Sequence, residues 1–322
     1  MTLTNYWWLL IWLFIGGGAL AVFMPKRQEI VLGKTEERWG MLSAFVLILP
    51  YIIWAGFRSN SFGDTGVYQG SFRECVASLE QIGIYLSGIS KDKGFYFLMA
   101  LEKSIFGDSD TLYFLLLAAF QLLIVMWMCR KYSEDYWFSI FLFIASTDYL
   151  SWSFNGIRQF TAVVMVYAAT PLILKKKYIP SIIIILLAST MHQSALLMIP
   201  VIFIIQGKAW NKKTIICILA SLVALVFVDQ FTNILDSLLA ETQYVNVVSD
   251  YKSWNDDGTN PIRVLVYSIP MILSIVGLRY IREEDNPIIN MTVNASIITT
   301  GLLIISAGTS GIFLGRLPIF TS

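Results

Sequence analysis

Apolar residues recur along this chain in runs too long for the surface of a soluble domain. They fall at about 6–24, 39–57, 110–129, 136–150, 157–174, 178–191, 193–206, 214–229, 262–279 and 288–312. In a hydrocarbon solvent such runs satisfy their own backbone groups only as helices or closed barrels, and runs of this length suit helices. The pattern therefore predicts an all-α, polytopic transmembrane bundle of about ten segments, two of them short. Two stretches, about 58–109 and 230–261, read as longer extracytoplasmic loops. The first holds an amphipathic stretch from Gly94 to Phe106 that suits the membrane interface. Without an internal repeat or low-complexity linker, residues 1–322 read as a single integral membrane domain.

The two short segments share one apolar stretch, Tyr178 to Ile205. Lys175, Lys176 and Lys177 border it on one side and Lys208, Lys212 and Lys213 on the other. Lysine-rich short loops lie in the cytoplasm, so the stretch goes out and comes back. Each arm is about 14 residues, roughly 21 Å of helix against a hydrocarbon core of roughly 30 Å. The apex of this short hairpin is His192, the only histidine in the chain. A titratable group sunk below the membrane surface is costly, and its default reading is functional.

Composition supports the membrane assignment. Of 322 residues, 56% are hydrophobic and 14% charged, and the mean hydropathy is +0.66. The net charge of +1 hides an asymmetry between loops. With the loops near 25–38, 130–135, 175–177, 207–213 and 279–285 in the cytoplasm, that side carries 14 Lys+Arg and 8 Asp+Glu, the other side 9 and 14. This is the sign of the positive-inside rule. The N-terminus is then outside, and the first apolar segment, with no basic n-region or clear cleavage site, reads as a retained helix. No basic tract argues for nucleic acid. Cys75, Cys129 and Cys217 are far apart in sequence, so with one histidine no metal site and no cofactor is expected. Both long loops face outside, which makes the outer face the working face.

Arg58, Arg73, Arg158, Arg263 and Arg316 map to that face. Arg58 ends the second apolar segment, Arg158 opens the fifth, Arg263 opens the ninth and Arg316 follows the tenth. A ring of arginines at one membrane depth would hold a phosphate or diphosphate, because the planar guanidinium matches phosphate oxygens with paired hydrogen bonds. The same positions suit arginines that snorkel to the surface or pair with an outer carboxylate. Apolar neighbours on both sides favour the functional reading for Arg158 and Arg316. Asp108-Ser109-Asp110 has the form of a metal–nucleotide motif, but no α/β nucleotide domain accompanies it, so Asp110 is expected to cap the third long helix. Tyr244, Tyr251 and Trp254 in the second long loop suit either sugar stacking or packing on their own helices.

Four motifs resemble one family. Arg58-Ser59-Asn60-Ser61-Phe62-Gly63-Asp64-Thr65, with Tyr68 three further on, looks like the segment after the second helix of Wzy-type polysaccharide polymerases, in particular the EpsG-like branch. Asn155-Gly156-Ile157-Arg158-Gln159 is similar to the arginine-glutamine helix start of that branch, and Ala188-Ser189-Thr190-Met191-His192-Gln193-Ser194-Ala195-Leu196 to its histidine hairpin. Gly315-Arg316-Leu317-Pro318 resembles the start of its last arginine motif. Family members continue past that arginine with further apolar helices, whereas this chain stops at Ser322, so a C-terminal truncation is expected.

The resemblance implies a glycosyltransferase of the bacterial cytoplasmic membrane. Such an enzyme takes a nascent surface or exopolysaccharide chain, as in capsule or O-antigen, from undecaprenyl or another polyprenyl diphosphate. It transfers the chain to a sugar hydroxyl of another lipid-linked repeat unit at the outer leaflet, without metal or cofactor. The catalytic candidates are His192 as base, Arg158 as diphosphate clamp and Asp64 as a competing base. Arg58, Arg316, Gln159, Asn155 and Tyr68 are the substrate-binding candidates. Simpler readings stay open: His192 satisfying carbonyls of its hairpin, Asp64 as a turn residue, Gln159 and Asn155 as helix caps. The implied partners are the lipid-linked donor and acceptor, the bilayer, a chain-length regulator and a flippase. Two rivals are a lipid-linked oligosaccharide flippase, which would show inverted halves with broken helices, and a membrane acyltransferase, which would need a cytoplasmic donor site.

Overall fold

The computed structural model describes residues 3–238, 258–311 and 313–322 and is mostly helical. In chain order the elements are α1 (Leu3–Phe23), β1 (Lys26–Val31), β2 (Lys34–Trp39), α2 (Met41–Gly56), α3 (Thr65–Glu74), α4 (Ile82–Ser87), α5 (Lys93–Phe106) and α6 (Asp110–Tyr132). Next come α7 (Tyr136–Ala145), α8 (Thr147–Trp152), α9 (Ile157–Ala168), α10 (Thr170–Leu174), α11 (Tyr178–Met191) and α12 (Met198–Ile204). The rest are α13 (Lys212–Val226), α14 (Val228–Leu238), α15 (Pro261–Val276), α16 (Leu278–Glu284) and α17 (Pro287–Ala307), with a 3-10 helix at Leu314–Phe320.

Each of the ten apolar segments forms helix. Length and composition qualify fewer as membrane spans: Tyr6–Phe23, Asp110–Tyr132, Ile157–Leu174 and Pro287–Ala307. The number rises to six if the pairs α13–α14, bent by 107°, and α15–α16, bent by 69°, each count as one span. Met41–Gly56, Tyr136–Ala145, Tyr178–Met191 and Gln193–Ile204 are apolar but only 10–17 residues long. The first long loop, 58–109, is itself largely helical, containing α3, α4 and α5. Most of the second, with Tyr244, Tyr251 and Trp254, lies outside the described residues.

The purely helical expectation needs one correction. Residues 26–39, expected as a cytoplasmic loop, form an antiparallel hairpin in which Val31 pairs with Lys34 and Lys26 with Trp39. Its two-residue turn is Leu32-Gly33, with φ of 50° and 85°, as a tight hairpin turn requires. One face carries Glu29, Val31, Glu36 and Arg38, and Val31 and Arg38 are buried. The alternation that marks a strand is therefore carried mostly by charged residues with specific partners, which a hydropathy pattern does not register.

The chain groups into two compact units, residues 1–169 with 186–193 and residues 170–185 with 194–322. In the first, α2 packs along α6, and α1, α7 and α9 join around them. Leu47, Ile48, Tyr51, Leu122 and Ile140 are buried there. Polar tips of aromatic residues tie these helices together through backbone carbonyls. Tyr51 OH donates to Leu9 O at 2.7 Å, Tyr136 OH to Ala44 O at 2.9 Å and Trp137 Nε1 to Leu13 O at 2.8 Å. In apolar surroundings an unmet donor is costly, so these bonds set the rotation of each helix.

In the second unit α17 packs against α13, α15 and the 3-10 helix at 314–320. Asn290 and Asn294, buried on α17, hold the loop that precedes α13. Asn290 Oδ1 accepts from Ala209 N at 2.9 Å and Asn294 Oδ1 from Trp210 N at 3.0 Å. Asn294 Nδ2 donates to Ile205 O and Lys208 O at 3.0 and 3.1 Å. Tyr178, which opens α11, stacks on Phe203 near the end of α12 with ring centroids 4.6 Å apart, so the two arms of the short hairpin run back on each other.

Candidate functional site

Seven of the eight predicted site residues, Arg58, Asp64, Tyr68, Asn155, Arg158, Gln159 and His192, belong to the first unit. They gather around the start of α9. Gly156 precedes that helix in the left-handed region at φ 73°, and a Cβ on it would lie 2.7 Å from the Trp152 ring. Only glycine fits such a turn without strain. It places Arg158 in the first turn of α9.

Arg158 donates from Nη1 to Asp92 Oδ2 at 2.8 Å. The arginine side chain is 24% exposed and the aspartate side chain only 3%. The same guanidinium donates to the phenol oxygen of Tyr68, which is buried on α3 with its ring edge-on to Phe95 at 5.8 Å. Asp92 also accepts from the backbone N–H of Gln193, the residue after His192. Burial holds the Asp92 carboxyl above its ordinary range against the pull of Arg158 and that N–H. Burial also raises the Tyr68 phenol, while Arg158 draws it down.

Asp64 lies exposed before α3. With its amide nitrogen turned to the carboxylate, the orientation that satisfies both groups, Asn155 donates to Asp64 Oδ2 at 2.8 Å and Oδ1 at 3.1 Å. Gly156 N donates to Asp64 Oδ2 at 3.4 Å. The carboxylate thus sits at the N-terminus of α9, where an anion is favoured by unpaired N–H groups and the helix dipole.

Arg58 is buried at 8% exposure between two rings, with its guanidinium carbon 4.9 Å from the Phe114 centroid and 4.7 Å from that of Phe154. Its Nε donates to Ala55 O at 2.5 Å and its Nη1 to Ser153 O at 2.8 Å. It therefore anchors the end of α2 to the segment leading into Asn155. Gln159 is buried on α9. His192 is half-buried, and its backbone N–H closes the last turn of α11 on Ala188 O at 3.1 Å. Arg316 belongs to the second unit, exposed on the 3-10 helix.

Asp110 does not cap its helix as expected. Ser109 is the cap, its Oγ accepting from Leu112 N at 3.3 Å. Asp110 instead accepts from Gln69 Nε2 at 2.6 Å and Arg73 Nη2 at 2.9 Å, tying α3 to α6. Sequence reading also passed over Asp92, which lies between Lys91 and Lys93 and looks like part of a solvated charge run. The available signal was its position just ahead of an amphipathic helix. Among the described residues, no group of three or more His, Cys, Asp or Glu is arranged to hold a metal ion.

Several apolar helices of spanning length, one of them with an ion pair in its first turn, fit a multi-pass membrane protein. The chain belongs to the EpsG family, whose family model matches residues 41–322. Membership suggests a membrane polysaccharide polymerase. No curated protein and no solved structure matches the chain.

Proposed function

We propose that this protein polymerises polyprenyl-diphosphate-linked repeat units at the extracytoplasmic face of a bacterial cytoplasmic membrane. In the step we envisage, a hydroxyl of one lipid-linked unit attacks the anomeric carbon of the glycan on another. The bond from that carbon to the diphosphate oxygen breaks, and its electron pair leaves with the lipid diphosphate. The hydroxyl proton passes to the imidazole of His192. Arg158 receives the leaving diphosphate, where negative charge builds up, so its contact strengthens in the transition state.

The observation that carries this reading is the setting of Arg158. It opens a candidate span, is partly exposed, and is fixed by Asp92 and Tyr68. A cation held by neighbours before substrate arrives loses little orientational freedom on binding. Arg58, sandwiched between two rings and bonded to backbone carbonyls, steadies the segment that leads into α9. Asp64 organises the Asn155–Gly156 turn and remains a second candidate base, and Gln159 and Asn155 are candidates for orienting sugar hydroxyls. Arg316, in the other unit, is a separate diphosphate-binding candidate. A chain-length regulator and a flippase are the partners this chemistry calls for.

Alanine substitution of Arg158, His192 and Arg316, one at a time, tests the reading through the length of lipid-linked glycan in membranes. Short or absent ladders are expected from Arg158→Ala and His192→Ala at normal protein level. Ladders of normal length from all three variants would overturn the assignment.

A further inference from the structure

Asp92 is the least expected residue in this group. Aspartate is among the preferred helix N-caps because its side chain takes up unpaired N–H groups of the first turn. Asp92 occupies the N-cap of α5, yet its side chain makes no capping bond. It sits in the left-handed region, at φ 56° and ψ 38°, a conformation uncommon for residues other than glycine, though aspartate is among those that adopt it more readily. A residue in a cap position that turns its carboxylate away from the helix is held there by what the carboxylate meets. It meets Arg158 Nη1 at 2.8 Å and the backbone N–H of Gln193.

These two partners come from the two motifs that carry the candidate chemistry, the helix start with Arg158 and the hairpin apex with His192. A second, independent contact fixes the same geometry. Gly94, two residues beyond Asp92, lies against the apex so closely that a Cβ would be 2.7 Å from Thr190 Cβ and 2.9 Å from Met191 Cε. The first turn of α5 is therefore packed on the apex.

The pair is also incomplete. Asp92 Oδ1 and Arg158 Nε are both buried without a hydrogen-bond partner among the described residues. Asp92 holds the guanidinium by Nη1, and the Tyr68 phenol accepts from the same group. The guanidinium is thus held by two neighbours while its side chain stays 24% exposed, a cation already oriented when an anion arrives.

We propose that Asp92 is a positioning residue: it fixes the Arg158 guanidinium and the His192 apex in one frame and so orients the guanidinium for the lipid diphosphate. The proposal rests on the reading of Arg158 as the clamp. Asp92 does not touch the substrate; it acts through Arg158, and its loss displaces the clamp while leaving its charge in place.

The test uses the full-length protein in proteoliposomes with purified lipid-linked repeat units, comparing wild type with Asp92→Asn, Asp92→Ala, Arg158→Ala and the Asp92→Ala/Arg158→Ala double variant. Inorganic pyrophosphate serves as the competing anion. Misplacing a positioned group typically costs about 100-fold in rate, so Asp92→Asn is expected to lower kcat by about 10- to 100-fold with a much smaller change in KM. Pyrophosphate should inhibit the Asn variant at least as strongly as wild type, because Arg158 has lost its internal counter-ion. The double variant should be no slower than Arg158→Ala, since residues acting as a unit are not additive. Wild-type kcat in Asp92→Asn, or an additive double variant, overturns the role of Asp92 while an inactive Arg158→Ala leaves the clamp intact. Normal turnover in Arg158→Ala overturns the clamp, and this proposal with it.

Discussion

Glu29 on β1 receives both terminal nitrogens of Arg130 near the end of α6, Nη1 to Oε1 at 2.8 Å and Nη2 to Oε2 at 2.9 Å, while Nη1 also donates to Trp39 O at 2.7 Å. Arg130 is 4% exposed. This fork joins the β-hairpin to the helix bundle. Removing one partner leaves a buried charge uncompensated, which costs more than the pair itself is worth.

Glu29→Ala is accordingly expected to destabilise the protein by about 2–4 kcal/mol. Thermal unfolding in detergent reads this, and a change under about 0.5 kcal/mol, the size of an ordinary surface substitution, would count against it. The hydrogen bond from Arg130 holds the Glu29 carboxyl below its ordinary 4.5. Its contribution is therefore full above that value and is lost as pH falls through the lower folded value.

Glu102 on α5 has the opposite sign. Burial raises its carboxyl to about 7 from 4.5, and its Oε2 is buried without a hydrogen-bond partner among the described residues. The folded state holds this proton more tightly than the unfolded chain. Its stabilising effect is present below pH 4.5 and declines as pH rises to about 7. Glu102→Gln should raise the melting temperature at about pH 8, by about 2–4 °C for each kcal/mol relieved, and change it little at about pH 5. An equal shift at both pH values would show that the carboxyl does not titrate in this range.

Lys103, 6% exposed, closes the end of α3 by donating to Phe72 O at 2.9 Å and Arg73 O at 2.7 Å, with Asp108 3.3 Å away. Lys103→Met keeps the apolar stem but leaves those carbonyls unmet. A loss of about 1–3 kcal/mol is expected, together with faster tryptic cleavage between α3 and α5. Wild-type cleavage kinetics would show that another group holds this segment.

The orientation in the membrane is open to a direct check. In a background lacking Cys75, Cys129 and Cys217, Asn155→Cys should react with an impermeant thiol reagent from the extracytoplasmic side. Lys176→Cys should react only after the cytoplasmic side is opened. Labelling of position 176 from the outside alone would invert the proposed topology.

Much of the architecture was legible because hydrophobicity is a local property. Ten apolar runs became helix, and the break at His192 fell between two short arms. Span length was less legible: residues between helices are apolar too, so hydropathy did not show that α7 stops at Ala145 or that α13 and α14 meet at 107°. The β-hairpin escaped notice for a different reason: its strands are held by Glu29 and Arg38 rather than by apolar alternation.

The sequence by itself determined which stretches are apolar, which loops are basic, and that Arg158 opens a helix and His192 marks a turn. Those properties belong to neighbouring residues and survive without a fold. Only the tertiary structure decided that Asp92 faces Arg158, that Arg58 lies between Phe114 and Phe154, and that Asp64 organises the turn before α9. Each of these is a charged side chain held by a partner far away in the chain, and such a partner exists only once the helices have packed.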